Sequence, residues 1–174
     1  ETLDDSRQVA KGLRHQGLRE GDGVAFMCHT SYEWDVFDGA VLSIGGVIAT
    51  IYDTDSAEQI RNIVDNSDAK LLVVETKDMM KKTDLAKEDC PTLKDVMCLE
   101  NGALDELKAY GSSISDEKLD ERIRSVKKTD LCSIVYTSGS TAAPKGVEMT
   151  QAHYCSTATN LPDYMPDLLH NKRN

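Results

Sequence analysis

The sequence predicts an α/β protein with a doubly wound, mostly parallel sheet flanked by helices. Short apolar runs, such as residues 24–28 and 71–74, lack the alternation of a half-exposed strand, which indicates strands buried on both faces. Segments with helical periodicity separate these runs, and helices between strands favour parallel crossover connections. In sheets of this kind ligands bind beyond the carboxyl ends of the strands. The loops that follow the strands are therefore the first candidates for a functional site.

Apolar runs rich in β-branched and aromatic residues supply the strands of this sheet. The predicted strands lie at residues 24–28, 47–51, 71–74, 96–99 and 131–136. The last of these ends in Ile134, Val135 and Tyr136, which all favour a strand. A further short strand is expected at residues 146–150.

Helical segments with an apolar stripe connect the strands. The predicted helices lie at residues 2–17, 32–44, 56–64, 77–87, 103–110 and 115–126. Gly17 is the expected C-cap of the first helix, because glycine accepts the left-handed conformation at that position. Ser56 and Gln59 have the spacing of a capping box at the start of the third helix. The region from 77 to 128 is the most polar and is expected to form solvated helices.

Length, charge and cysteine usage limit the possible classes of protein. The 174 residues correspond to about one domain, and the net charge of −10 argues against nucleic acid and anionic membranes as partners. Five scattered cysteines without a C-x-x-C pair suggest neither a disulfide framework nor a zinc site, which fits a reducing cytoplasm. An anionic nucleotide would need a local positive centre in so acidic a chain.

The most informative stretch is residues 136–147, which follow the last long apolar run. They read Tyr-Thr-Ser-Gly-Ser-Thr-Ala-Ala-Pro-Lys-Gly-Val. Small residues let backbone N–H groups approach a ligand closely, and hydroxyl groups add hydrogen-bond donors. Lys145 adds a point charge that suits a phosphate. The composition predicts a cradle for a polyphosphate, although a cluster of Ser, Gly and Thr alone would be read as a turn.

The spacing in this loop approaches that of a Walker A motif without matching it. Lys145 stands six positions after Gly139, as the motif requires. Pro144 and Gly146, however, occupy positions where the motif has Gly and Ser or Thr. The loop is therefore not an ordinary P-loop.

The whole string resembles the phosphate-loop motif of the adenylate-forming superfamily, which contains acyl-CoA synthetases, luciferases and peptide-synthetase adenylation domains. Other stretches resemble the long-chain fatty acyl-CoA synthetases in particular. These stretches are residues 32–34, 45–47, 51–60, 72–76 and 146–150. The resemblance implies that residues 1–174 belong to the large N-terminal AMP-binding domain of such an enzyme, without its small C-terminal domain.

The resemblance also implies an activity and a binding site. Such enzymes use ATP and Mg²⁺ to convert a long-chain fatty acid to an acyl-adenylate, and then transfer the acyl group to coenzyme A. The loop would hold the β- and γ-phosphates of ATP, and Thr137 would also assist the Mg²⁺. The implied ATP-binding residues are Thr137, Ser138, Gly139, Ser140, Thr141, Ala142, Ala143, Pro144, Lys145 and Gly146. No catalytic residue is assigned within this chain, which alone is expected to be inactive.

Two departures from the family pattern favour a non-catalytic relative as one alternative interpretation. Ala142 replaces the usual glycine, and Gln151 stands where the family usually has a histidine. The alternatives are a luciferase-like or peptide-synthetase adenylate-forming enzyme, or a truncated relative that binds nucleotide without catalysis. The expected location is the cytoplasm, with peripheral membrane association of the full protein left open. The histidines at positions 15, 29 and 170 are expected on the surface or in local hydrogen bonds rather than as ligands, and the sequence names no partner for any of them.

Overall fold

The computed structural model describes residues 1–137 and 145–164 and confirms the predicted α/β class. The described residues form a six-stranded sheet with the order β4-β3-β1-β2-β5-β6. The strands are β1 (Gly23–Met27), β2 (Val47–Thr50), β3 (Ala69–Val74), β4 (Asp95–Cys98), β5 (Leu131–Thr137) and β6 (Lys145–Thr150). The first five pair in parallel, and β6 pairs with β5 in antiparallel orientation. The sheet is therefore mostly parallel, as the sequence predicts.

Helices cover both faces of the sheet. They are α1 (Thr2–His15), α2 (Tyr32–Ser43), α3 (Ala57–Asn66), α4 (Lys77–Lys81), α5 (Asp84–Asp89), α6 (Ala103–Gly111), α7 (Asp116–Ser125) and α8 (Gln151–Tyr164), with a 3₁₀ turn at Leu99–Asn101. One apolar cluster joins α1, α2, α6 and α7 to the sheet, and a second joins α3, α4 and α5 to it. Strand β1 contributes Val24 and Phe26 to the first cluster, and Ala25 and Met27 to the second. The unbroken apolar runs in the sequence thus mark strands with two buried faces.

Local capping signals appear where the sequence places them. The C-cap of α1 is Gln16, one residue before the expected Gly17, which follows it with φ of 90°. The Leu18 amide donates a 3.0 Å hydrogen bond to the Leu13 carbonyl. This is the glycine-terminated helix end that the sequence predicts. Ser56 and Gln59 form the expected capping box at the start of α3.

The polar stretch at residues 77–87 differs from the single helix expected. It forms two short helices, α4 and α5, which meet at Thr83. The Thr83 side chain is buried, and its hydroxyl donates a 2.7 Å hydrogen bond to the Met80 carbonyl. A buried threonine that bonds to the preceding turn competes with continued helix formation, which accounts for the break.

Among the described residues, no helix is both long enough and apolar enough to cross a membrane. The cysteines are free thiols; three of the five are buried, and Cys28 is half-buried.

Candidate functional site

The hairpin of β5 and β6 brings three of the predicted site residues together. Thr137 is the last residue of β5, and in the strand register it lies directly opposite Lys145, the first residue of β6. Tyr136 lies opposite Gly146 in the preceding pair. Because β5 continues the parallel sheet, Thr137 stands at the edge formed by the carboxyl ends of the strands. This is the edge where ligands bind in doubly wound sheets.

The Thr137 hydroxyl and the Lys145 ammonium group both lie on the exposed stem of the loop. Side chains of directly opposed residues share one face of a sheet, with Cβ atoms about 4.5–5.5 Å apart. A hydroxyl donor and a positive charge are thus side by side and open to a ligand. The remaining predicted site residues lie outside the described residues: Ser138, Gly139, Ser140, Thr141, Ala142, Ala143 and Pro144.

Gly146 has a packing role that the sequence motif does not reveal. A Cβ atom at this position would lie 2.7 Å from Ile134 Cγ2 and 3.2 Å from Tyr136 Cε1. The two β5 side chains therefore fill the space beside Gly146, and a larger residue would push them away. An aromatic side chain over a cross-strand glycine is a known way to fix strand register.

Tyr136 anchors this end of the hairpin to α3. Its side chain is only 4% exposed, and its hydroxyl donates a 2.7 Å hydrogen bond to Asn66 Oδ1. Burial raises the pKa of the Tyr136 hydroxyl, which keeps the proton on the donor, while the Ser67 side chain opposes the shift. Asn66 is the last residue of α3, so the loop stem is tied to a helix packed on the sheet.

A second cluster at the same edge was missed by the sequence analysis. His29, Asp53 and Glu75 follow the carboxyl ends of β1, β2 and β3 respectively. His29 Nδ1 lies 2.6 Å from Glu75 Oε2, and His29 Nε2 lies 3.4 Å from Asp53 Oδ2. The His29 backbone amide also donates to Glu75 Oε2 at 2.8 Å. The surface position expected for His29 is confirmed, because its side chain is exposed, while its two acidic partners could not be named from the sequence.

The charges in this cluster support one another. The hydrogen bond to Glu75 raises the pKa of His29 above its ordinary value, because a nearby carboxylate favours the protonated ring. The His29 backbone N–H in turn lowers the pKa of Glu75. Ionisable residues within three positions of consecutive strand ends were the available signal, since parallel strands bring such positions together.

His15 and His170 are the other two histidines for which the sequence names no partner. His15 stacks on Tyr110, with ring centroids 5.3 Å apart, and its Nδ1 lies 2.9 Å from the Ser113 hydroxyl. The surface position expected for His15 is confirmed by its exposed side chain, while His170 lies outside the described residues.

Gln151, the residue that replaces the family histidine, lies away from the stem residues Thr137 and Lys145. It begins α8, after the whole length of β6, which is about 17 Å at ordinary strand rise. Its Nε2 donates a 3.1 Å hydrogen bond to the Leu42 carbonyl near the end of α2. Gln151 therefore joins two helix ends, and the structure does not bring it together with Thr137 and Lys145.

A magnesium ion at this site would need phosphate oxygens of the nucleotide among its ligands. Within the part of the chain that the structure describes, no group of three or more His, Cys, Asp or Glu side chains could hold a metal ion. Thr137 offers one exposed hydroxyl oxygen. Mg²⁺ is commonly held by one or two protein ligands together with phosphate oxygens and water. One hydroxyl beside a phosphate loop is compatible with that mode of binding.

Comparison with known families decides how this site is classified. The family described as AMP-binding enzyme matches residues 1–171. The chain belongs to this family.

Sequence relatives in the AMP-binding family are named as long-chain-fatty-acid–CoA ligases. FadD15 of Mycobacterium bovis is 34% identical over 172 residues, a match that covers 97% of this chain and 29% of the relative. ACSBG1 of Bos taurus is 33% identical over 164 residues, with 88% and 22% covered. The chain therefore spans less than a third of the length of these relatives.

Solved structures support the fold of this AMP-binding chain. A putative long-chain-fatty-acid CoA ligase from Rhodopseudomonas palustris superimposes with a TM-score of 0.78 at 18% identity. The match covers 95% of this chain and 41% of that structure. The arrangement of β1 to β6 is thus a portion of a larger fold.

Proposed function

We propose that the full-length gene product is an ATP-dependent long-chain fatty acid–CoA ligase. In this proposal residues 1–174 form part of its large AMP-binding domain, and the small C-terminal domain lies outside this chain. The names of the relatives support the proposal, together with a match that runs along 97% of the chain. Because the chain spans 29% of that relative, we expect complete activity to need segments beyond it.

The reaction has two steps. A fatty carboxylate oxygen attacks the α-phosphorus of ATP, which forms the acyl-adenylate as the bond to pyrophosphate breaks. The thiolate of coenzyme A then attacks the acyl carbonyl, forms the thioester and releases AMP. The first step depends mainly on positioning and on charge neutralisation at the departing pyrophosphate.

The residues of this chain would act on the departing pyrophosphate. Lys145 would neutralise charge on the β- and γ-phosphates, and the Thr137 hydroxyl would donate to a phosphate oxygen or contact the metal. Backbone N–H groups of the residues from Ser138 to Ala143 would complete the cradle, with Pro144 and Gly146 at its end. Mg²⁺, when bound, would neutralise further phosphate charge.

One observation carries this assignment. The register of β5 and β6 pairs Thr137 with Lys145 at the carboxyl edge of the sheet, where the fold presents its loops to ligands. In a chain of net charge −10, an exposed lysine at that edge is a specific attraction for an anionic nucleotide. The same net charge disfavours nucleic acid as a partner, and the sequence favours a cytoplasmic location.

The test is a substrate panel with the full-length gene product, Mg·ATP and coenzyme A. We expect palmitate and oleate to give acyl-CoA and AMP in equal amounts, and amino acids or aromatic acids to give little product. Selective turnover of an amino acid or an aryl acid would indicate a different adenylate-forming enzyme. Absence of any acid-dependent AMP formation would contradict the proposal and favour a non-catalytic nucleotide-binding relative.

A further inference from the structure

Tyr136 occupies a distinctive place between the rigid part of the fold and the loop stem. It stands one residue before Thr137, yet its hydroxyl bonds to Asn66, which is 70 positions earlier in the chain. Its ring belongs to the apolar cluster that contains α3, and its edge fills the space beside Gly146. One side chain thus contacts α3, β5 and β6.

These contacts constrain both strands that carry the loop. The Asn66 hydrogen bond fixes the outer end of the Tyr136 ring, at an O···O distance of 2.7 Å. The ring in turn limits how closely Gly146 can approach, since a Cβ there would be 3.2 Å from Tyr136 Cε1. Thr137 and Lys145 are the next residues along these two strands. Their relative position therefore depends on how the Tyr136 ring is held.

We propose that the Asn66–Tyr136 hydrogen bond is a positioning device that sets the stem of the phosphate loop for ATP. Asn66 and Tyr136 are positioning residues in this account, because they touch neither nucleotide nor acid. The inference rests on the proposed function for its enzymatic readout. A misplacement of about 1 Å in a group that binds a reacting substrate can reduce activity by about 100-fold. A bond that holds the stem can therefore matter more for ATP than for stability.

A purely structural role would have different consequences. The Tyr136 ring packs in an apolar cluster, and phenylalanine would preserve that packing while it removes the hydroxyl. Asn66 is exposed, so its truncation removes little packing. If Tyr136 serves only the core, loss of the hydrogen bond should affect all substrates equally or not at all.

The test compares Tyr136→Phe, Asn66→Ala and Asn66→Asp in the full-length gene product. We expect the first two to raise KM for ATP by about 5- to 10-fold, with KM for the fatty acid unchanged. Aspartate retains an oxygen acceptor for the tyrosine hydroxyl, so Asn66→Asp should stay within about 2-fold of the parent. The double variant Tyr136→Phe with Asn66→Ala should be no worse than either single variant, since both remove the same bond.

A matched control is available on the opposite face. Tyr110 is a tyrosine of α6 whose hydroxyl donates a 3.0 Å hydrogen bond to Glu106. Tyr110→Phe also removes one tyrosine hydroxyl bond and should leave KM for ATP unchanged. Equal changes in KM for ATP and for the fatty acid, no change in either, or additive effects in the double variant would each overturn the proposal.

Hydrogen exchange provides a readout that does not need activity. In the absence of ATP, Tyr136→Phe and Asn66→Ala should increase amide exchange severalfold in peptides that cover residues 131–137 and 145–150. Peptides from β1 and β3 should be unaffected. If the parent protein is inactive with every acid, the proposed function fails, and the exchange result alone decides this inference. Unchanged exchange in both hairpin peptides would then overturn it.

Discussion

The sheet contains two regions that are built differently. One is the parallel region, formed by β4, β3, β1 and β2, and the other is the hairpin of β5 and β6. All five residues of β1 are buried, and helices cover both faces of that region. The first four residues of β6 are exposed, and Val147 retains 49% of its accessible surface. Burial therefore stabilises the parallel region, whereas β6 depends on backbone pairing with β5 and on the Tyr136 anchor.

The contrast shows that different parts of one sheet provide stability and the candidate binding site. A loop that receives a polyphosphate must leave its backbone and side chains accessible, and the two stem residues Thr137 and Lys145 are both exposed. The parallel region supplies the rigid edge, and Tyr136 connects the accessible hairpin to it through Asn66. Substitutions in the parallel region should therefore lower stability more than activity, and substitutions in the hairpin should lower activity more than stability.

The sharpest test of this contrast compares two apolar truncations. Leu72 lies in β3 with 0% exposure, and Leu72→Ala should lower the free energy of unfolding by about 2–5 kcal/mol. Val147→Ala, on the half-exposed β6, should cost about 0.5 kcal/mol or less. Urea denaturation of both variants measures the difference. Similar losses for the two would show that the hairpin is as deeply stabilised by burial as the parallel region.

Two glycines offer a second comparison. A Cβ at Gly12 would lie 2.1 Å from the Leu107 carbonyl oxygen, so Gly12→Ala must separate α1 from α6. We expect it to cost about 1–3 kcal/mol or more, because backbone atoms cannot rotate away. At Gly146 the nearest atom is a methyl carbon of Ile134, which can move, so Gly146→Ala should cost less stability. Thermal unfolding of the two variants measures the difference. A larger loss in Gly146→Ala than in Gly12→Ala would show that the hairpin packing is the tighter of the two.

Asp38, a half-buried acid on α2, should make the stability of the fold depend on pH. Burial, with a smaller contribution from Asp35, raises the pKa of Asp38 to about 6. Its favourable contribution is present below the ordinary pKa near 4 and is lost as the pH rises through 6. Asp38→Asn should therefore stabilise the fold by about 1–2 kcal/mol at pH 8, after allowance for partial solvent access, and by progressively less toward pH 4. An effect that stays constant across this range would contradict the assigned titration.

Much of the parallel region could be predicted from the sequence because its signals are local. The apolar run at residues 71–74 marks β3, and the spacing of Ser56 and Gln59 marks the start of α3. The same approach placed a strand directly before the loop and identified the loop by its composition. These features depend on residues that are neighbours in the chain.

The rest could not be predicted because it depends on contacts between distant segments. His29 meets Glu75 across 46 positions, and Tyr136 meets Asn66 across 70. The strand order that brings β2 beside β5 also has no local signal. The break at Thr83 was missed for a related reason, since its helix-ending hydrogen bond depends on a side chain that only the folded structure shows to be buried.

The most direct test of the account is ATP–pyrophosphate exchange by Lys145→Ala, with Lys118→Ala as the matched control. Lys118 is an exposed lysine on α7, whereas Lys145 stands at the carboxyl edge opposite Thr137. Loss of a charge-assisted contact of about 1.5–3 kcal/mol should slow fatty-acid-dependent exchange by about 10- to 100-fold in Lys145→Ala. Unfolding of either variant and exchange by Lys118→Ala should match the parent. Unchanged exchange in Lys145→Ala, or equal losses in both variants, would contradict the assignment of this hairpin as the phosphate site.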